Sequence, residues 1–205
     1  MSRRAALAAL LALPALGLSA LREARAEALT PDELARLAEG EVVRRKIDLE
    51  MPDGPYFGGI SYAIVDAPVA DVMAVLLDPV SYRSILALTV ESKVIGRKGD
   101  NMLLYLRQGS ERYGTAEYTV AIRRESPGLL RFWLDPDYPH EIADMWGYFR
   151  ATPHGAGGTK SMLTYAALVR LDPGLVRMLF SEKIRSYALN TPALVRAYLA
   201  GKRGR

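Results

Sequence analysis

The side chains that could do chemistry in this chain are few and scattered. There is no cysteine, which removes thiolate metal sites, cysteine nucleophiles and disulfides. The two histidines, His140 and His154, are too few for a histidine-rich metal centre. His140-Glu141 and Asp144 follow a proline-rich loop and offer either an acid/base pair or an ordinary solvated loop. Lys183 falls within an apolar helical arc. Its ammonium either meets a carboxylate or phosphate head inside a cavity, or reaches water while its stem lies on apolar surface. Asn190 shares that arc, beside an expected helix break, and fits a capping role. Arg107 and Arg150 lie on strands, at a sheet rim or in solvent-facing ion pairs. There is no G-x-S-x-G, no H-E-x-x-H, no P-loop and no dinucleotide fingerprint after a strand. The glycines of Gly155-Ala156-Gly157-Gly158 sit in a hairpin loop, which is not a phosphate cradle.

Charge adds little. The 205 residues carry 27 basic and 23 acidic side chains. Residues 1–26 hold Arg3, Arg4, Arg22 and Arg25 against Glu23, so the remainder has 23 basic and 22 acidic residues and a net charge of +1. That near-neutral balance gives no electrostatic argument for nucleic acid. Half of the residues are hydrophobic, ample for the core of one domain. The basic start, the 17-residue apolar run Ala5 to Leu21 and Ala24-Arg25-Ala26 read as a bacterial export signal cut before Glu27. An uncleaved N-terminal anchor is the alternative, but the run is short and alanine-rich for a permanent span. Ser2-Arg3-Arg4 partly matches a twin-arginine signal. The expected location is therefore periplasmic or secreted. Away from ATP and NAD pools, no cofactor is expected.

The elements that must position these groups follow from periodicity. Thr30-Pro31-Asp32-Glu33 opens a short helix with a capping box, closed by Gly40. Val43, Ile47 and Leu49 alternate as a first strand. Met51 to Gly59 reads as a turn, and Ile60, Tyr62 and Ile64 as a second strand. Two short helices follow, Ala67 to Asp78 and Val80 to Leu86. From Thr89 onward short strands alternate with turn signals, implying an antiparallel sheet. Leu171 to Gly201 reads as one long amphipathic helix. It carries Leu175, Val176, Leu179, Phe180, Ile184, Tyr187 and Ala188 on its apolar face, and Arg177, Glu182 and Arg185 on the other. Pro192 predicts a break near Asn190 to Thr191, and the second piece is expected to end before Gly201.

Two stretches carry a family resemblance. Ile64-Val65-Asp66-Ala67-Pro68-Val69-Ala70-Asp71-Val72 with Leu77-Asp78-Pro79 is similar to the strand-to-helix passage of the START-like (SRPBCC, helix-grip) superfamily. Gly147-Tyr148-Phe149-Arg150-Ala151-Thr152-Pro153, Gly158-Thr159 and Leu163-Thr164-Tyr165 resemble its last hairpin. Within it, the likeness is nearest to the polyketide cyclase/dehydrase and coenzyme-Q-binding START groups. The resemblance implies an α+β helix-grip fold, a curved antiparallel sheet wrapped around a long C-terminal helix, with two short helices after an early strand. The divisions are an export signal at 1–26, an N-terminal helix at 27–40, the START-like domain at 41–201 and a basic tail at 202–205.

The resemblance also implies an apolar ligand between sheet and helix. Sorting the strands by parity gives Met102, Leu104, Leu106, Tyr118, Val120, Ile122, Phe132 and Leu134, with Leu163, Tyr165 and Val169 on the last strand, as wall residues, and Trp146 and Tyr148 are chosen on a strand whose two parities are both partly apolar. The helix contributes Leu179, Lys183 and Ile184. Each of these is either cavity wall or filled core. The expected function is an exported binding or carrier protein for a hydrophobic small molecule: a lipid, sterol-like, quinone or polyketide-like compound. The alternative is a cyclase/dehydratase-type enzyme using the same cavity, which needs converging polar groups that the sequence does not present as a compact set. Lys202, Arg203 and Arg205 are candidates for transient contact with anionic lipid, or form a solubilising tail.

Overall fold

The computed structural model describes residues 28–110, 114–171 and 181–203. The capping box forms as expected. Thr30 Oγ1 accepts from the Glu33 N–H at 3.2 Å, and Glu33 Oε2 accepts from the Thr30 N–H at 2.8 Å. It opens helix α1 (Pro31–Ala38). Strands β1 (Val43–Met51) and β2 (Gly54–Val65) form a hairpin. The turn between them is only Pro52-Asp53, and Gly54 to Gly59 belongs to the strand rather than to a turn. The glycines mislead because the backbone packs closely there: a Cβ on Gly59 would lie 2.1 Å from the Arg45 carbonyl oxygen. Gly therefore fits a close approach within the strand.

After β2 the chain crosses beneath the sheet through α2 (Val69–Leu77), a 3₁₀ turn (Pro79–Ser81) and α3 (Tyr82–Ile85). Val72, Met73, Val75 and Leu76 of α2 are all buried, as a helix apolar on most sides requires. The chain then returns as a meander: β3 (Thr89–Lys98), β4 (Asn101–Ser110), β5 (Gly114–Ser126), β6 (Leu129–Leu134), β7 (Asp144–His154) and β8 (Lys160–Arg170). These eight strands form one antiparallel curved sheet of order β1-β2-β8-β7-β6-β5-β4-β3.

Of the long C-terminal helix, residues 172–180 lie outside the described residues, Leu175, Val176, Arg177, Leu179 and Phe180 among them. The rest is bent, as Pro192 predicts: α4 (Ser181–Ala188) and α5 (Thr191–Arg203) are separated by a turn at Leu189-Asn190. The second piece passes Gly201 and ends at Arg203, so Lys202 and Arg203 belong to a helix rather than a tail. No helix among the described residues is long and apolar enough to cross a membrane.

The sheet has two apolar faces. The larger core lies on the concave side, where α2, α3 and α5 cover Leu104, Leu106, Val120, Phe132, Leu163 and Tyr165. A smaller cluster on the convex side gathers Val43, Tyr56, Ile60, Tyr62 and Leu168 beneath Leu37 of α1.

Candidate functional site

A cavity of about 340 Å³ opens between the concave face and the C-terminal helices. Its sheet wall is Leu106 and Gln108 of β4, Tyr118, Val120 and Ile122 of β5, Phe132 of β6, Met145 and Phe149 of β7, and Tyr165 and Val169 of β8. Lys183, Ile184, Tyr187 and Ala188 of α4, with Thr191 at the start of α5, form the roof; Tyr82 of α3, Leu86 and Ala87 close one end. The solvent-exposed wall residues Leu88, Thr115, Lys183 and Ile184 mark the mouth. Leu88 holds φ +60°, and it is the one non-glycine residue with positive φ among the described residues. That left-handed backbone is costly for a leucine and turns an apolar side chain outward at the rim.

Tyr118, Val120, Phe132, Tyr165, Lys183 and Ile184 thus line the cavity. Met102, Leu104, Leu134 and Leu163 share its parity but are buried in the surrounding core. Trp146 and Tyr148 are a correction: they lie on the convex face, packed on the cluster around Tyr56, and the Trp146 and Tyr56 ring centroids are 6.4 Å apart. Met145 and Phe149 take their place. Leu179 lies outside the described residues. Arg185 is a second correction. Periodicity puts it on the side of the helix opposite the apolar face, yet it is buried, and its guanidinium pairs with Asp48 of β1.

Tyr82, Gln108, Met145, Phe149 and Thr191 are wall residues that parity and periodicity did not single out. A signal for Phe149 was present. Because His154 pairs with Lys160 across the last hairpin, Phe149 must oppose Tyr165 and share its face. Phe132, Phe149 and Tyr165 form an aromatic group in the wall, with Phe149 and Tyr165 centroids 4.8 Å apart and Phe132 stacked on Tyr165 at 6.0 Å. Gly147, opposite Phe132 in the β6–β7 pairing, leaves room for that ring.

The polar groups in the wall are mostly neutral and committed. Tyr82 donates to the Leu76 carbonyl at 2.7 Å and Tyr118 donates to Gln108 Oε1. Burial pushes these two phenols and that of Tyr165 above their ordinary range, and the nearness of Tyr165 adds to this for Tyr82 and Tyr118. They stay protonated at neutral pH. The other candidates lie elsewhere. His140 is exposed on its loop, its Nδ1 2.8 Å from the Ile142 carbonyl oxygen. Glu141 accepts from the Glu117 N–H at 2.8 Å, and Asp144 accepts from Tyr56 on the convex side. Arg107 and Arg150 are on strand parities opposite to the cavity, Arg107 lying 3.7 Å from Glu91. Asn190 precedes α5. Its carbonyl receives the Ala193 and Leu194 N–H groups, and its side chain accepts from Arg44 at 2.8 Å.

No family model matches the chain, and no curated protein matches it by sequence. Solved structures do match. A STAR-related lipid transfer protein from Xanthomonas axonopodis superposes with a TM-score of 0.63 at 16% identity, over 78% of this chain and 93% of that one. The Zhui aromatase/cyclase from Streptomyces sp. R1128 gives 0.53 at 13% identity, over 80% of this chain and 97% of that one. A START superfamily protein from Mycobacterium smegmatis gives 0.54 at 14% identity, over 66% and 91%. At such identities the likeness is one of architecture. With the strand order, the two-helix crossover and the bent C-terminal helix described above, it establishes that this chain has the START-like, helix-grip fold.

Proposed function

We propose that this protein binds or carries a hydrophobic small molecule held between its sheet and its C-terminal helices, and that it does so after export from the cytoplasm. The observation that carries the reading is the cavity of about 340 Å³ with a largely apolar wall. Such a volume falls at the lower end of the range for ligand pockets, about 300–1,000 Å³. Burial of the ligand supplies the affinity at about 0.8 kcal/mol per methylene, so few polar contacts are needed. The likeness to a lipid transfer protein supports the same reading. The leader read from residues 1–26 supports a periplasmic or secreted site of action. Exposed Leu88 and Ile184 beside Lys183 at the mouth suit brief contact with a lipid surface during loading.

The cyclase reading draws on the likeness to an aromatase/cyclase, but the described wall residues include no carboxylate and no histidine to move a proton. Native mass spectrometry of the purified mature protein, followed by solvent extraction, tests the carrier reading. A co-purified apolar molecule, or uptake of an added one at one copy per chain, is expected. A protein that carries nothing and takes up nothing would sink it.

A further inference from the structure

Three tyrosines line the cavity, and the fold treats their protons differently. A phenol has one proton to donate. The Tyr82 hydroxyl donates to the Leu76 carbonyl oxygen at 2.7 Å. The Tyr118 hydroxyl donates to Gln108 Oε1. Gln108 is oriented by its Nε2, which reaches the Ala87 carbonyl at 3.3 Å and Thr89 Oγ1 at 2.9 Å and so leaves Oε1 facing Tyr118. Tyr165 stands apart: no described residue accepts a hydrogen bond from its hydroxyl. Thr191, its neighbour in the wall, gives its own proton to the Ala188 carbonyl at 2.7 Å.

The position of Tyr165 gives that proton its significance. The residue is 4% exposed, so bulk solvent hardly reaches it. Its ring is held by Phe149, with centroids 4.8 Å apart, and by Phe132, stacked at 6.0 Å, which fixes where the hydroxyl sits. Burial raises its pKa, so the proton stays on at neutral pH. A buried donor without an acceptor is unfavourable, and an occupant that brings the acceptor removes that penalty. The other donors in the wall, Lys183 and Thr115, are exposed at the mouth, where they meet a different part of an occupant.

Resting on the carrier reading above, we propose that the cavity takes an apolar molecule whose buried part carries a carbonyl oxygen, as in a ketone, ester or quinone, and that Tyr165 is the specificity-determining donor to that oxygen. The hydrocarbon fills the space beside Val120 and Phe132. A carbonyl oxygen brings lone pairs and no proton of its own, which matches one free phenol proton in a wall where Tyr82 and Tyr118 have already given theirs.

Cyclododecanone and methylenecyclododecane share one shape and differ in whether an oxygen or a methylene group ends the exocyclic double bond. Their dissociation constants, measured by displacement of an environment-sensitive dye, test the proposal. The affinity ratio of ketone to hydrocarbon is expected to fall about fivefold in Tyr165→Phe, the factor that one neutral hydrogen bond supplies. In the unaltered protein, the infrared carbonyl stretch of the bound ketone should lie at lower frequency than in a hydrocarbon solvent. That shift should persist when Lys183→Ala and Thr115→Val together remove the donors at the mouth, a reading that stands even where Tyr165→Phe does not fold. An unshifted stretch, a shift lost with the mouth donors, a cavity that takes the hydrocarbon and refuses the ketone, or a folded Tyr165→Phe that keeps the ratio would each overturn the donor assignment while leaving an apolar cavity standing. Failure of both compounds to bind would overturn the carrier reading and this inference with it.

Discussion

The guanidinium of Arg185, on α4, sits against the carboxylate of Asp48 on edge strand β1, with Nη1 3.1 Å from Oδ2 and Nη2 on Oδ1. The pair is lopsided: the Arg185 side chain is 6% exposed and that of Asp48 is 69% exposed. Arg185 also lies over the Phe57 ring, 6.0 Å from its centroid. Lys46 reaches Glu182 of the same helix at 2.6 Å. The cavity roof is therefore clasped to the sheet edge by charge, with one cation buried.

That clasp predicts the effect of removing its acidic half. Asp48→Ala leaves the desolvated guanidinium with only Glu182, at 3.5 Å on its own helix, and should weaken the docking of α4 by about 1–3 kcal/mol, less than for a fully buried pair because Asp48 itself is solvated. Hydrogen exchange across α4 should accelerate while the strands keep their protection. Unchanged exchange in α4 would show that the pair does not hold the roof.

Filling the cavity should separate binding from folding. Val120 is in the wall and 3% exposed, so Val120→Phe puts a ring into empty space. Ligand uptake should be lost with the melting temperature kept. The same change at Val72, buried at 0% in packed core outside the wall, should cost about 1–3 kcal/mol by overpacking. Equal destabilisation at both sites would mean that the cavity is not space a side chain can use.

Gly147 should tolerate no side chain. A Cβ there would lie 2.1 Å from the Ala166 carbonyl oxygen and 2.5 Å from the Phe132 ring. Gly147→Ala is expected to destabilise by about 2 kcal/mol or more, the upper part of the overpacking range. Adding Phe132→Leu should recover only part of this, because the carbonyl contact remains. Denaturant midpoints of the single and double variants measure it.

Glu33 links α1 to the sheet and should make that link acid-sensitive. Its hydrogen bonds from Arg45, and then from the Thr30 N–H, lower its pKa to about 2 from an ordinary 4.5. A depressed carboxyl contributes stability that is fully present above the unfolded value and is lost as pH falls from 4.5 toward 2. Glu33→Gln should flatten this part of the stability profile. A variant with the same acid slope as the parent would assign that slope to other groups.

The opposite limb belongs to the tyrosines. Burial first, and then the hydrogen bond with Asp144, raise Tyr56 to about 12 from 10.0. Tyr82, Tyr118 and Tyr165 are raised further by burial. A phenol whose folded pKa is raised stabilises fully below pH 10 and loses that contribution as pH rises above it, since the unfolded chain releases the proton first. Tyrosinate absorbance from these four should appear together with unfolding. Early, gradual ionisation of all tyrosines in folded protein would contradict their burial.

Local chemistry was legible in the chain order. The Thr30–Glu33 capping box, the break at Asn190 before Pro192 and the alternation of β4, β5 and β6 all depend on neighbours a few residues apart, and each formed where its pattern lies. Other features depended on distant partners. Both faces of β7 are apolar because both are covered, the concave one by the core and the convex one by the cluster of Tyr56, Ile60 and Leu37. Hydrophobicity alone therefore could not orient Trp146 or Phe149; the hairpin register could. Arg185 looked like a solvent-facing helix residue because its partner, Asp48, lies 137 residues earlier. The donor roles of Tyr82 and Tyr118 were equally hidden, since they depend on which carbonyl or amide the fold sets beside each hydroxyl. Periodicity and capping arise within a single turn or strand and can be read along the chain. A cavity, a buried cation and the direction of a hydrogen bond exist only once separate segments share one low-dielectric space.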